Sequence, residues 1–175
     1  ELEAGLGIIR QSPQDNGLLK LIVRRPKVDE REIVNEAELD LEEGLVGDTW
    51  KARGSKATPD GSANINAQIT LMNMRAIALL AQDESRWALA GDQLFVDFDL
   101  SEANIPAGAR IAIGSAILEV SATPHTGCAK FSERFGKDAL KFVNSPDGKQ
   151  LHLRGVNARV VQAGGIQVGN VVRKV

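Results

Sequence analysis

Hydrophobic and polar positions along this chain alternate over short spans and seldom settle into a helical period. Ile117, Glu119 and Ser121 alternate with Leu118, Val120 and Ala122, and Leu94, Val96 and Phe98 alternate with Phe95, Asp97 and Asp99. A period of two is that of a strand whose faces meet different surroundings. Apolar runs over 7–10 and 18–24 flank Ser12-Pro13-Gln14-Asp15-Asn16-Gly17, so the pattern predicts an opening β-hairpin, with Pro26 ending its second strand. Residues 110–113 and 116–122, joined through Gly114 and Ser115, predict another hairpin. Residues 69–72, 154–161 and 168–172 complete the predicted strands, with Ala163-Gly-Gly-Ile-Gln167 separating the last two. Over 28–41 the charge is dense and no period is clean, which suggests a strand or loop with at most one helical turn.

Helical spacing is confined to a few segments. Asn73 suits the N-cap of a helix running through Ala81, with Ile77 and Leu80 on one side. Residues 83–89 suggest a short helix carrying Trp87, and 138–143 another turn or two before a turn at Asp147-Gly148. Phe131 and Phe135, four apart, mark one face of a helix closed by Gly136. At least seven short strands against two or three helices predict a β-dominated fold, all-β or α+β, arranged as a barrel.

The chemistry concentrates where strand gives way to helix. Thr123 and Pro124 end the strand, and Cys128 falls at or near the start of the Phe131/Phe135 helix. Exposed amides and the dipole at a helix start favour a negative charge, and His125, Lys130 and Arg134 are close in sequence, so a thiolate-prone sulfur is expected. A lone cysteine also serves as a small buried hydrophobe, but Gly127 suits a close backbone approach that such a role does not need. His125 could act as a base for Cys128 in a hydrolase or transferase, although three residues along a loop is an awkward separation. A zinc site of His125, Cys128 and His152 with a carboxylate would rest on an HxxC fragment alone. Asp97 and Asp99 share a strand face and read as solvent-facing charges. Gly44-Leu-Val-Gly47-Asp48-Thr-Trp50 reads as a turn, lining a pocket or simply laying Trp50 over the core. Residues 53–66, rich in Gly, Ser, Ala, Asn and Pro, have the composition of a mobile loop that could act as a lid.

Composition bounds the partners. The 175 residues fit one domain, and 43% hydrophobic content supplies a core. A formal net charge of -2, from 21 basic and 23 acidic residues, carries no polycationic signature for nucleic acid or an anionic membrane, so any anion site must be local. No apolar run reaches the ~20 residues that cross a bilayer. A single cysteine excludes an intrachain disulfide framework and fits a cytoplasmic location. The chain begins at Glu1, so removal of an N-terminal segment stays open.

Several fragments, taken in order, carry a family resemblance. They are Gly44-Leu-Val-Gly-Asp48, Gly91-Asp-Gln-Leu-Phe95, Gly114-Ser-Ala-Ile-Leu-Glu-Val120 leading to Gly127-Cys128-Ala-Lys130, Arg154-Gly-Val-Asn-Ala-Arg-Val-Val161, and residues 164–171. Together they resemble a MOSC domain, named for the C-terminal domain of molybdenum cofactor sulfurase, from about Leu6 to the end; residues 1–175 would then be a single domain of a standalone form. The resemblance implies a β-barrel with a few short helices and a role in handling sulfur or the molybdenum-pterin cofactor. It also implies that Cys128 is essential, either carrying sulfur as a persulfide or ligating molybdenum. Lys130, Arg154 and Asn157 become candidates to bind an anionic cofactor or orient the sulfur, His125 a further one, and Gly47 and Asp48 would shape the pocket wall. The pyridoxal-phosphate desulfurase domain of the sulfurase and the N-terminal barrel of amidoxime-reducing relatives have no counterpart in these residues, and no lysine is assignable as a Schiff base. The chain would therefore need an outside sulfur donor, such as a cysteine desulfurase, or a diffusible cofactor, together with a cofactor acceptor or redox partner. A non-catalytic barrel that binds pterin or another anion is the alternative.

Overall fold

The computed structural model describes residues 2–175. Its strands are β1 (Gly17–Arg24), β2 (Glu32–Val34), β3 (Glu36–Asp40), β4 (Gly44–Leu45), β5 (Ile69–Asn73), β6 (Leu94–Asp97), β7 (Arg110–Ile113), β8 (Ala116–Val120), β9 (Val156–Gln162), β10 (Gly164–Gln167) and β11 (Val171–Lys174). Seven of them run in the order β11-β7-β8-β9-β5-β6-β1, and β1 pairs back onto β11 to close a barrel. Closure removes the exposed edges that an open sheet would present. β2 adds to the side of β1, and β10-β3-β4 form a second, small sheet.

Side-chain parity explains why the strands are so apolar. Leu71 of β5 and Leu94 and Val96 of β6 point into the barrel, while Met72 and Phe95 point outward and are equally buried under the helices. A strand covered on both faces reads as a continuous apolar run, and these two lie parallel, as covered strands do. In β1, Leu19 and Ile22 both enter the barrel core although three apart, which breaks a two-residue period. The register shift between Leu19 and Leu21 restores the inward direction.

The outer layer is helical: α1 (Leu6–Arg10), α2 (Trp50–Arg53), α3 (Met74–Ala81), α4 (Ala129–Phe135), α5 (Lys137–Val143) and α6 (Pro146–Gln150), with 3-10 turns at Glu3–Gly5, Ile65–Ala67 and Glu84–Ala90. Asn73 caps α3, its side chain accepting from Arg75 N as its sequence position suggests. Four segments depart from the sequence reading, one of them 163–172, where residues 164–167 form β10 by pairing with β3 and 168–170 form the turn before β11. Residues 7–10 belong to a helix, because Leu6 and Ile9, one helical turn apart, are buried while Ile8 between them is exposed. The charge-dense stretch after Pro26 holds β2 and β3, whose stability comes from pairing with β1 and β10 rather than from its own pattern. Asp147-Gly148 lies inside α6, started by Ser145, whose Oγ accepts from Gly148 N, and by Pro146 in the first turn. Asp97 and Asp99 have structural partners: Asp97 accepts from Arg75 Nε at 2.9 Å and Asp99 from Ser101 N at 2.9 Å. Among the described residues no helix is long and apolar enough to cross a membrane.

Candidate functional site

β8 ends at Val120, and the chain from Ser121 to Gly127 is fixed by hydrogen bonds to three other parts of the chain. Asn157 on β9 donates its Nδ2 to the carbonyls of Thr123 and Pro124 at 3.1 and 3.2 Å. Ser121 Oγ donates to Asn66 O at 2.6 Å. Asn144, just after α5, accepts from Gly127 N at 3.0 Å and donates back to Gly127 O at 3.3 Å. A Cβ on Gly127 would stand 2.7 Å from Leu140 Cδ1 and 3.0 Å from Val143 Cγ2, so only glycine lets the loop lie this close to α5. The clamp presents Cys128 as the N-cap of α4, with its carbonyl accepting from Ser132 N. Cys128 is exposed and free.

Beneath this loop lies a buried ionic cluster centred on Asp92, a residue the sequence reading did not single out. Its carboxylate pairs with Arg154 Nη1 through Oδ1 and with His125 Nε2 through Oδ2 at 3.2 Å. Arg154 also donates Nη2 to Ala90 O at 2.8 Å, and its guanidinium lies 4.9 Å above the Phe131 ring. Burial pushes the Asp92 carboxyl up, but the Arg154 charge, then the His125 charge and the hydrogen bonds from both, outweigh it and bring it down to about 2. Gly155 makes room for this arrangement: at φ +121, a Cβ there would sit 2.3 Å from Leu71 O and 2.8 Å from Asp92 Oδ2.

A second ionic anchor stands nearby. Asp48 receives Arg25 through Nε at 2.9 Å, Nη2 at 2.8 Å and backbone N at 2.7 Å, and also accepts from Trp50 N at 3.0 Å. Burial raises the Asp48 carboxyl, and the hydrogen bond and charge of Arg25 more than offset it, leaving it lowered. Arg25 is held with its Nη1 donating to Gly91 O at 3.2 Å.

These two anchors hold part of the wall of a cleft of about 220 Å³ to which Arg25, Lys27, Arg31, Arg53, Lys130, Arg134 and Arg154 all contribute, together with His125, Thr70 and Asp29. Among the described residues Asp29 is the one carboxylate lining it, 3.9 Å from Lys130 Nζ and 3.5 Å from Arg134 Nη2. His125 and Arg154 also line a larger cavity of about 470 Å³, bounded by Val120, Ala122, Val156 and Asn157. Despite the balanced net charge, cations are therefore concentrated locally in this cleft.

The sequence-derived candidates separate into groups. Lys130, Arg154 and His125 meet in the cationic cleft. Asp48 acts one step back, holding Arg25 in place, and Asn157 holds the loop and lines the larger cavity. Gly47 lies against the Arg24 side chain and does not line the cleft. Cys128 stands two residues from Lys130 but is not part of the cleft wall. The basic residues expected to surround the sulfur are directed elsewhere: His125 to Asp92, and Lys130 and Arg134 to Asp29. His152 is turned away as well, with Nδ1 2.6 Å from Leu100 O and Nε2 3.7 Å from Glu102. Hence His125, Cys128 and His152 are not gathered as a zinc site, and no group of three potential metal-ligating side chains occurs among the described residues. His125 likewise makes no thiol–imidazole pair with Cys128. The arginines missed by the sequence reading left a trace in it, the cluster Arg24-Arg25-Pro26-Lys27 with Arg31 between two strands, but nothing local says that they converge with α4.

Comparison with known proteins agrees with this architecture. The MOSC domain family profile matches residues 62–173. Among solved structures, YiiM from Escherichia coli is 19% identical with a TM-score of 0.59, the match covering 90% of this chain and 69% of that one. YuaD protein from Bacillus subtilis is 15% identical with a TM-score of 0.63, covering 90% and 94% respectively. No curated protein sequence matches the chain. At these identities the solved structures show a common fold, and MOSC domains are generally associated with the molybdenum cofactor or with sulfur chemistry. With a profile match across well over half its length and a closed barrel shared with these structures, the chain belongs to the MOSC domain family.

Proposed function

We propose that Cys128 is a sulfur-handling residue beside a binding cleft for an anionic cofactor, as a persulfide carrier or as a ligand to molybdenum. The observation that carries this reading is the exposed, clamped thiol of Cys128 two residues from Lys130, whose side chain joins six other cations in one cleft. An exposed thiolate can attack the outer sulfur of a donor persulfide. The new S–S bond forms at Cys128 Sγ, the donor's S–S bond breaks, and the donor leaves as a thiolate that takes up a proton. A cysteine desulfurase would be a suitable donor.

The residues also fit a phosphate-bearing molybdenum cofactor. The cleft supplies guanidinium groups suited to phosphate oxygens, and a single soft thiolate is available for a metal that arrives bound to its cofactor. Arg154 Nε, buried without a hydrogen-bond partner, is a further donor in the wall. When bound, the molybdenum would supply redox or sulfur-accepting chemistry. The protein's own part is to hold the anionic end, fix Arg154 in place through Asp92, and present Cys128 on a braced loop.

The test is intact-protein mass spectrometry after incubation with a cysteine desulfurase and cysteine, with molybdenum analysis of the purified protein. Added sulfur or bound molybdenum in the wild type and neither in Cys128→Ala is the expected result. Sulfur loading and molybdenum content unchanged in Cys128→Ala would remove the thiol from the mechanism, and anion binding that survives would then favour a non-catalytic binding module.

A further inference from the structure

The cationic cleft holds more positive charge, more widely spread, than one phosphoryl group calls for. Seven cations line it, against Asp29 in the cleft and Asp48 and Asp92 behind Arg25 and Arg154, which leaves an excess of four positive charges and three cations, Lys27, Arg31 and Arg53, with no carboxylate partner among the described residues. A phosphate monoester brings only about 1.5 to 2 negative charges near neutral pH.

Five of the seven cations group into two sets by their contacts about Gly91. On one side, Arg31 Nη2 and Arg134 Nη1 approach to 3.4 and 3.9 Å of where a Gly91 Cβ would be, with Lys130 joined to Arg134 through Asp29. On the other, Arg25 Nη1 binds the Gly91 carbonyl, and Arg53 is a close electrostatic neighbour of Arg25. Arg31 spends its guanidinium on two carbonyls, Ala88 O and Glu30 O, and Arg53 makes no side-chain hydrogen bond or ion pair among the described residues. Burial lowers both groups, and neighbouring cations lower them further: Arg134 and Arg25 for Arg31, and Arg25 for Arg53. Each set carries more positive charge than its one carboxylate offsets, Asp29 in the first and Asp48 in the second, and that excess prepares both for anions. At about 220 Å³ the cleft is smaller than the ~300–1,000 Å³ of ordinary ligand pockets, so it suits the charged end of a ligand rather than its whole.

Building on the anionic-cofactor reading, we infer that the cleft takes a ligand with two adjacent phosphoryl groups, one against Arg31, Arg134 and Lys130 and the other against Arg25 and Arg53. Each phosphoryl group presents three acceptor oxygens, which match the forked donors of one set.

The experiment is calorimetric titration of the full chain at fixed low salt with inorganic pyrophosphate and with orthophosphate, repeated on Arg31→Gln and Arg53→Gln. One pyrophosphate should bind at least tenfold more tightly than orthophosphate, and each substitution should weaken pyrophosphate by tenfold or more. Orthophosphate should occupy two sites, one lost in each variant. Thermal melts of both variants show whether the fold is intact. If pyrophosphate and orthophosphate bind alike, or if Arg53→Gln leaves pyrophosphate unaffected while Arg31→Gln abolishes both ligands, the cleft has a single phosphoryl site and the inference fails while the cofactor reading stands. If neither anion binds the wild type yet Cys128 loads sulfur, the cleft is not an anion site and only the thiol half of the proposed function survives. If Cys128→Ala loads sulfur unchanged while pyrophosphate binds as expected, the inference stands and the thiol role falls.

Discussion

Arginines line the same cleft in two different conditions. Arg25 and Arg154 are each backed by a carboxylate whose side chain is fully buried, Asp48 and Asp92. Arg31 and Arg53 have no carboxylate behind them and lose proton affinity to burial and to neighbouring cations. The first pair is part of the architecture: removing either partner leaves a charge in the interior. The second pair is held by the chain but not neutralised by it. Two arginines facing one space can therefore serve different purposes, and the identity of the residue does not tell which; the charge behind it does. Substitutions that act on one pair and spare the other probe that division.

The largest effect is expected at the buried anchor. Asp92→Asn keeps the shape but leaves Arg154 with an uncompensated charge in a buried position. Breaking a buried pair this way costs about 3–5 kcal/mol. Chemical denaturation of the variant should show a loss of that size with an unchanged dependence on denaturant, and a loss below about 1 kcal/mol would mean that Arg154 reaches solvent or another carboxylate.

A smaller effect comes from acid. The Asp92 carboxyl lies near 2 in the native protein, below its ordinary value of 3.8. A depressed native value means that the unfolded chain takes up the proton first as pH falls. The contribution of the group, about 2 kcal/mol, is thus complete above about pH 5 and lost progressively as pH falls toward 2. Denaturation midpoints followed from pH 5 to pH 2 should fall more steeply for the wild type than for Asp92→Asn, and parallel curves would place the acid sensitivity in other carboxylates.

How much of this was open to sequence reading depended on whether the signal was local. The alternation at 116–122 gave β8, and Asn73, Phe131/Phe135 and Gly136 gave α3 and α4, because caps and periods act within a few residues. Residues 7–10 misled, since four apolar residues suit a strand or a helix and burial of Leu6 with Ile9 decides the matter. Motif order singles out Cys128, Lys130 and Arg154, and the structure brings the last two together in one cleft with Cys128 outside its wall. Asp92 was not, because its importance comes from contacts with residues 33 and 62 positions away. The same holds for Arg31 and Arg53, whose cationic neighbours, Arg134 and Arg25 respectively, are distant in sequence. Even for Cys128, proximity in sequence to His125 and Arg134 suggested a charged surrounding that the actual partners of those side chains do not provide.

The smallest effect is also the sharpest for the comparison. Arg53 makes no side-chain hydrogen bond or ion pair among the described residues, so Arg53→Gln breaks no direct contact of that kind and relieves a repulsion with Arg25 that outweighs the attraction of Asp48. Its stability should stay within about 0.5 kcal/mol of wild type, with the change toward greater stability. Salt should reveal the sign. Repulsion between cations at the cleft is screened as ionic strength rises, the Debye length falling from roughly 30 Å at 0.01 M to roughly 10 Å at 0.1 M. Added chloride should therefore raise the melting temperature of the wild type slightly more than that of Arg53→Gln. A clear destabilisation by Arg53→Gln would mean that this arginine is paired in solution, which would move it into the same class as Arg25 and Arg154 and leave Arg31 as the lone arginine in the cleft without a counter-charge.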